Sequence, residues 1–92
     1  MPRWSVYMVR CRDGTLYTGI TTQVSRRLAD HQSGSARGAK YLRGRGPLRL
    51  VFRKSIGPKG LALRLEARIK KLSRQRKEEL IRGRGRIDRL LV

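Results

Sequence analysis

The sequence is poor in acidic residues: 6 aspartates and glutamates stand against 24 lysines and arginines, a formal net charge of +18. Such an excess repels itself in a compact domain, and a polyanion relieves that repulsion. Nucleic acid is the first candidate, because phosphate contacts release condensed counterions. A genome that favours arginine codons would explain part of the arginine excess, but it would not explain the scarcity of acids. The charge therefore indicates a nucleic-acid partner.

Cysteine and long apolar runs are also scarce. Cys11 is the single cysteine, which excludes an intrachain disulfide and a cysteine-based metal site. No apolar run reaches the roughly 18 residues of a transmembrane helix, and the N-terminus has no apolar signal-peptide segment. We therefore expect a cytoplasmic protein. Binding to a membrane surface is disfavoured, because no basic helix shows a broad aromatic or leucine face.

The length of 92 residues suits one compact domain, and the apolar share of 38% is enough for a small core. We predict a single domain over residues 1–82 and a flexible basic tail over residues 83–92. Alternating β-branched and aromatic residues mark strands, and apolar residues at helical spacing mark helices. The predicted strands are 4–11, 15–21 and 48–55, and the predicted helices are 23–32, 59–72 and 74–82. This β-β-α-β-α-α order predicts an α+β fold, in which helices pack on a three-stranded antiparallel sheet.

The turn between the first two strands, at residues 12–14, admits two registers. A two-residue turn would place Tyr7 and Tyr17 on opposite faces of the sheet. A three-residue loop, with Gly14 in the left-handed conformation of a G1 bulge, would place both tyrosines on one face. The residues alone permit either register.

Helical geometry separates two neighbouring arginines on the first predicted helix. At 100° per residue, Val24, Leu28 and His31 share one side. Arg27 then lies at the edge of that side, whereas Arg26 points to solvent.

Among the acids, Glu66 alone borders an apolar stripe, that of the second predicted helix. The other acids fall in a turn, on a solvent side or near the C-terminal end. Such a glutamate can be a functional ligand, or it can simply form an i,i+4 pair with Lys70, worth a few tenths of a kcal/mol. The residues alone favour the second interpretation.

The ordered set of these features resembles the GIY-YIG nucleases, and in particular a small stand-alone bacterial group often called YhbQ-like. The resemblance covers residues 4–82. The segments that carry it are Ser5-Val6-Tyr7, Tyr17-Thr18-Gly19, Arg26-Arg27-Leu28 with His31, Gly38-Ala39-Lys40-Tyr41 through Pro47, and Leu63–Glu66 through Ile69–Leu72. The first triplet keeps only its tyrosine, the second has threonine for isoleucine, and a downstream asparagine of many homing members is not evident.

The resemblance implies a GIY-YIG-like fold with the bulged hairpin, since both tyrosines serve one active site in that family. It further implies a metal-dependent DNA endonuclease that hydrolyses phosphodiester bonds. Its expected substrates are branched, flapped or single-stranded DNA in repair or recombination. Two alternatives stay open. One is a non-catalytic nucleic-acid binder. The other is a nuclease subunit that is active only with a protein partner. That partner would dock on an exposed apolar patch of the C-terminal helix around Leu80, Ile81, Leu90 and Leu91.

The resemblance also implies a role for each matching residue. Tyr7 is the expected general base, with nearby positive charge favouring its phenolate. Tyr17 is expected to hydrogen-bond the attacking water or the phosphate, and Arg27 to bind the scissile phosphate. Glu66 is expected to hold Mg²⁺ or Mn²⁺, and His31 to assist proton transfer or contact phosphate. The structural alternatives are a core tyrosine at Tyr7, cross-strand packing at Tyr17 and a helix-terminal histidine at His31.

The expected nucleic-acid contacts lie next to these residues. Gly19 is expected to leave open space opposite Tyr7, through which a phosphodiester approaches. The loop before the third predicted strand is expected to supply the remaining contacts, Lys40, Tyr41, Arg43 and Arg45.

Overall fold

The computed structural model describes residues 2–33, 39–42 and 44–83. The elements in chain order are β1 (Trp4–Arg10), β2 (Leu16–Thr21), α1 (Val24–Ser33), a 3₁₀ helix (Lys40–Leu42), β3 (Arg49–Gly57), α2 (Lys59–Lys70) and α3 (Arg74–Ile81). The predicted α+β order is confirmed, with ends displaced by at most two residues, and the 3₁₀ helix was not predicted. Predictions for Gly38, Arg43, Leu90, Leu91 and the tail beyond Gly83 lie outside the described residues.

The sheet is antiparallel with the strand order β2-β1-β3. β1 is therefore central, and all of its residues from Ser5 to Val9 are buried. β3 is an edge strand whose pairing with β1 is irregular between Met8 and Val9. Its exposed Arg53 and Lys54 place charge along that edge, which discourages pairing with another strand.

The β1–β2 hairpin adopts the bulged register. Tyr7 lies opposite Gly19 and Val9 lies opposite Tyr17. The Cys11 N–H donates to the Thr15 carbonyl oxygen at 2.9 Å, and Gly14 has φ +88°. Both tyrosines consequently lie on the same face of the sheet, as the resemblance implied and as the residues alone left open.

Each face of the sheet has its own apolar cluster. The face covered by α2 and α3 buries Val6, Met8, Ala62, Leu65, Ile69 and Leu80. The opposite face, covered by α1 and the 3₁₀ helix, buries Tyr7, Val9, Cys11, Val24, Leu42 and Leu48. Strand alternation thus places Tyr7 under α1. The exposed patch expected on the C-terminal helix is not found at Leu80, which is in the core, or at Ile81, which packs against it; that expectation is wrong for these two residues.

An ion-pair network ties α3 to the hairpin. Glu78 accepts two hydrogen bonds from Arg10, at 2.8 and 2.7 Å, and a third from Arg74 at 2.9 Å. Arg74 also donates to the Gly14 carbonyl oxygen at 2.7 Å. Hydrogen bonds from Arg10 and then Arg74 lower the pKa of Glu78 to about 2. Sequence reasoning had set Glu78 aside as an acid near the C-terminal end, whereas in the structure it holds α3 to the hairpin.

Glu78→Gln is expected to remove acid-sensitive stability. Because the folded-state pKa of Glu78 lies below its ordinary 4.5, its contribution is present above pH 4.5 and is lost as pH falls toward about 2. Urea unfolding at pH 7 and pH 3 checks this. The wild type should lose more stability between these two pH values than Glu78→Gln does. Glu79→Gln, the same change one position along α3, should behave as the wild type; equal pH dependence in all three proteins would contradict the assignment.

Candidate active site

A hydrogen bond between Tyr7 and His31 forms the centre of the candidate site. The Tyr7 hydroxyl oxygen lies 2.8 Å from His31 Nε2. Tyr7 is 1% exposed and His31 is 3% exposed, so water does not compete for this bond. β1 supplies the tyrosine and α1 supplies the histidine one turn after Arg27, which brings together residues that sequence reasoning had placed in one site.

The backbone of the following loop determines which histidine nitrogen carries the proton. The Ala39 N–H donates to His31 Nδ1 at 2.9 Å, so Nδ1 is an acceptor and has no proton. A neutral imidazole then carries its proton on Nε2 and donates it to the Tyr7 oxygen. Burial, followed by the charge of Arg27, holds the pKa of His31 below its ordinary value, which agrees with a neutral ring. In this arrangement His31 does not accept the Tyr7 proton. Instead, its Nε2–H donates a hydrogen bond to the Tyr7 oxygen.

Two donors meet at the Tyr7 oxygen, because Arg27 also hydrogen-bonds it and acts on it as a positive charge. Both effects of Arg27 lower the pKa of Tyr7. They are outweighed by burial and then by the nearby Tyr17, and the pKa of Tyr7 rises to about 12. The expected positive charge therefore does favour the Tyr7 phenolate, but in the protein without DNA burial outweighs its effect on the pKa. The sequence composition shows the positive charge of the protein, but burial determines the direction in which the pKa of Tyr7 shifts.

The space opposite Tyr7 is not open. A Cβ added to Gly19 would lie 2.6 Å from the Tyr7 hydroxyl oxygen and 2.8 Å from Cζ. The Tyr7 ring itself fills the space that the sequence analysis reserved for a phosphodiester, so that expectation is corrected. Gly19 serves the site indirectly, by allowing Tyr7 to reach His31.

Gly19→Ala is accordingly expected to displace the Tyr7 ring and to break its hydrogen bond with His31. Overpacking of this kind destabilises a core by about 1–3 kcal/mol, which urea unfolding measures. Gly60→Ala is the matched control, because a Cβ at Gly60 meets nothing within 4 Å and alanine is the better helix former. If Gly19→Ala were as stable as the wild type, the packing described for Tyr7 would be wrong.

Tyr17 and Glu66 complete the cluster. The Tyr17 ring lies 6.4 Å from that of Tyr7 and 5.7 Å from that of His31, centroid to centroid. Burial raises the pKa of Tyr17, Arg27 opposes the rise, and Glu66 adds to it. Glu66 acts electrostatically on Tyr7 as well. A carboxylate on α2 therefore lies near two phenols on the sheet, and the five predicted catalytic residues come from β1, β2, α1 and α2.

Glu66 is the residue that could hold a metal ion. Its side chain is 20% exposed, and it pairs with Lys70 at 3.8 Å, a distance longer than a good hydrogen bond. Within the described ranges, no group of three or more His, Cys, Asp or Glu side chains could enclose a metal ion. One carboxylate fits Mg²⁺ or Mn²⁺, because a hard cation of this kind retains several waters and takes substrate phosphate oxygens as further ligands.

The loop residues expected to contact nucleic acid divide into two groups. Lys40 is exposed, as a phosphate contact requires. Tyr41 stacks on Tyr17 with centroids 6.0 Å apart, and the Arg45 guanidinium lies 4.3 Å from the Tyr41 centroid. Arg45 also donates to the Tyr41 carbonyl oxygen and pairs with Asp13, both at 2.8 Å. Arg45 is thus committed to holding this loop against the hairpin, a role the sequence analysis did not foresee.

Sequence reasoning missed two contributors to this region. The first is the Ala39 amide, which has no side-chain signal because every residue except proline offers the same donor. The second is Lys77, which lies beside Tyr17 and Tyr41 in a surface cleft. Its helix carries so many charges that none of them stands out in the sequence.

Comparison with known proteins agrees with this fold. The sequence profile described as the GIY-YIG catalytic domain matches residues 3–79. This chain therefore belongs to the GIY-YIG family. Among curated proteins, it is similar to UPF0213 proteins of Vibrio cholerae, 57% identical over 97% of this chain and 87% of the relative, and of Cronobacter sakazakii, 53% identical over 90% and 85%.

Solved structures agree with the fold. The solution NMR structure of a UPF0213 protein from Bacillus halodurans is 48% identical, covers 90% of this chain and 86% of its own, and gives a TM-score of 0.57. An NMR structure of a protein from E. faecalis is 34% identical with the same coverage and a TM-score of 0.62. The prediction of a small bacterial GIY-YIG protein is thereby confirmed. In the part of the chain described, no helix has the length and apolarity to cross a membrane.

Proposed function

We propose that this chain is a metal-dependent DNA endonuclease that hydrolyses phosphodiester bonds. The observation that carries the proposal is the convergence of Tyr7, Tyr17, Arg27, His31 and Glu66 in one cluster. Binding to phosphate needs positive charge alone, whereas hydrolysis needs a base, a charge-stabilising group and a metal ligand within reach of one another. The cluster contains a candidate for each role.

The Tyr7 oxygen is the proposed base toward the attacking water. It accepts from His31 Nε2–H and from Arg27, and an oxygen that receives two donors is better able to lose its own proton. Burial opposes that loss in the free protein. Arg27 is the proposed phosphate ligand, and Tyr17, less buried than Tyr7, is the proposed contact to the water or the phosphate.

Glu66 is the proposed ligand of Mg²⁺ or Mn²⁺. The cation would supply charge neutralisation on the phosphate oxygens. Because Glu66 is its one carboxylate ligand within the described ranges, we propose that the metal binds firmly only together with DNA. Lys40 and Arg43 are proposed further phosphate contacts. Phosphate contacts carry no sequence information, so we propose branched, flapped or single-stranded DNA as the substrate class, in repair or recombination.

A non-catalytic nucleic-acid binder is the second candidate. The observation that favours it is the burial of Tyr7, whose side chain is 1% exposed and whose proton is correspondingly hard to remove. The net charge of +18 is sufficient for binding.

Incubation of the protein with labelled flapped, branched, single-stranded and blunt duplex DNA separates the two candidates. Each DNA is tested with Mg²⁺, with Mn²⁺ and with EDTA. The endonuclease proposal expects cleavage with a metal and none with EDTA. Binding of all four DNAs with no cleavage in any condition would favour the binder.

A further inference from the structure

A surface cleft of about 310 Å³ opens beside the catalytic cluster, between β2, the 3₁₀ helix, α2 and α3. Its walls combine aromatic and cationic side chains. They are Leu16, Tyr17, Thr18, Tyr41, Lys70 and Lys77. Tyr17 belongs to the cleft and to the catalytic cluster alike, so a ligand in the cleft lies next to the reacting groups.

The positive charge of the cleft is incompletely neutralised. Lys70 has Glu66 at 3.8 Å, a distance at which the pair is loose. Lys77 is partly buried and makes no ion pair with any residue in the described ranges. The acid that follows it, Glu78, is fully committed to Arg10 and Arg74. Two amino groups from different helices thus line one cleft, where a bound anion would neutralise their charge.

Tyr41 adds an aromatic surface to this charge. It is 46% exposed and is the most exposed aromatic side chain among the described residues. Its stacking on Tyr17 and its contact with Arg45 hold the ring in place. An aromatic ring held beside lysines is the arrangement with which proteins bind single-stranded nucleic acid, since every base has a face that can stack.

We propose that this cleft binds an unpaired nucleotide next to the scissile phosphate, with its phosphate between Lys70 and Lys77 and its base against the exposed part of the Tyr41 ring. The nucleotide must be unpaired, because a base inside a duplex is already stacked on both sides. Lys70 joins the two sites, since its amino group lies near Glu66. The proposal rests on the proposed function in one respect, that the bound nucleotide flanks the bond to be cut. It makes the cleft the element that selects DNA with a single-stranded segment.

Fluorescence anisotropy in EDTA tests the cleft without cleavage. Two labelled probes carry equal numbers of phosphates, one a blunt duplex and one a duplex with a single-stranded extension. The wild type should prefer the extended probe by about tenfold, because one base–aromatic stack contributes about that ratio in affinity. Lys70→Gln/Lys77→Gln and Tyr41→Ala should each reduce the preference to near unity.

The charge-matched control is Lys54→Gln/Lys71→Gln, which removes two exposed lysines outside the cleft. It should weaken binding of both probes equally and leave the preference unchanged. A wild type without preference, or a preference that survives in Lys70→Gln/Lys77→Gln, overturns the proposal. Cleavage in Mg²⁺ is scored separately on the same probes. If the wild type shows the cleft-dependent preference but cuts no DNA, only the proposed function is contradicted. If it cuts DNA without that preference, only the proposed nucleotide-binding role of the cleft is contradicted.

Discussion

Replacing Tyr7 by phenylalanine is expected to lower the single-turnover rate of DNA cleavage by about 10²–10⁴-fold, the usual contribution of a positioned general base. The ring and its packing over Gly19 stay in place, and only the hydroxyl is lost. The buried Nε2–H of His31 then has no acceptor, so the free energy of unfolding should also fall by about 1–3 kcal/mol. DNA affinity should be unchanged. Rates from quenched time courses, with anisotropy and urea unfolding on the same preparations, measure all three quantities.

One control variant and one pH measurement accompany Tyr7→Phe. Ser55→Ala removes a hydroxyl on β3 that contacts Arg3, away from the cluster, and should cut at the wild-type rate. The wild-type rate should rise with pH across the neutral range. Burial raises the pKa of Tyr7 to about 12, and below that value every increase in pH increases the phenolate fraction. A Tyr7→Phe protein that is folded, binds DNA and cuts at the wild-type rate would remove Tyr7 from the mechanism.

Replacing Glu66 by glutamine is expected to lower cleavage by about 10³-fold while DNA binding stays equal or becomes slightly tighter. A metal ion contributes several kcal/mol to such a reaction, and each 1.36 kcal/mol is about tenfold in rate. Glutamine keeps the size of the side chain and removes the charge that would hold the cation. Stability should change by only a few tenths of a kcal/mol, since the exposed Lys70 contact is weak.

Glu79→Gln is the matched control for this change, because it removes one carboxylate from α3 and leaves the cluster intact. The metal concentration that gives half-maximal rate should increase in Glu66→Gln and should not change in Glu79→Gln. Isothermal titration should show weak Mg²⁺ binding to the wild type without DNA, as expected for a site with one carboxylate. An unchanged metal dependence in Glu66→Gln would exclude this glutamate as the metal ligand.

The element order could be predicted from the sequence, because it depends on local pattern, whereas the choice of candidate catalytic residues came from the resemblance to the GIY-YIG family. Alternation and helical spacing predicted the strands and helices, and the border of an apolar stripe distinguished Glu66 from the other acids. The hairpin register could not be derived from the residues alone. It depends on whether the chain pairs Cys11 with Thr15, which a small loop permits but does not require.

The state of the candidate site could not be predicted, because it depends on burial and on backbone donors. Arginine-rich composition suggested a lowered pKa for Tyr7, whereas its enclosure under α1 raises it. Gly19 was expected to leave open space for a phosphodiester, but the Tyr7 ring occupies that space. The proton position on His31 is decided by the Ala39 amide. These are properties of the assembled core.

We propose that the cluster around Tyr7 makes this domain an endonuclease. Single-turnover cleavage of one extended DNA probe by the wild type, Tyr7→Phe and Glu66→Gln, at protein concentrations that saturate the DNA, tests it most directly. We expect metal-dependent cleavage by the wild type and a large loss of cleavage rate in both variants at equal DNA occupancy. Saturated DNA that stays intact with the wild type in both Mg²⁺ and Mn²⁺ would contradict it.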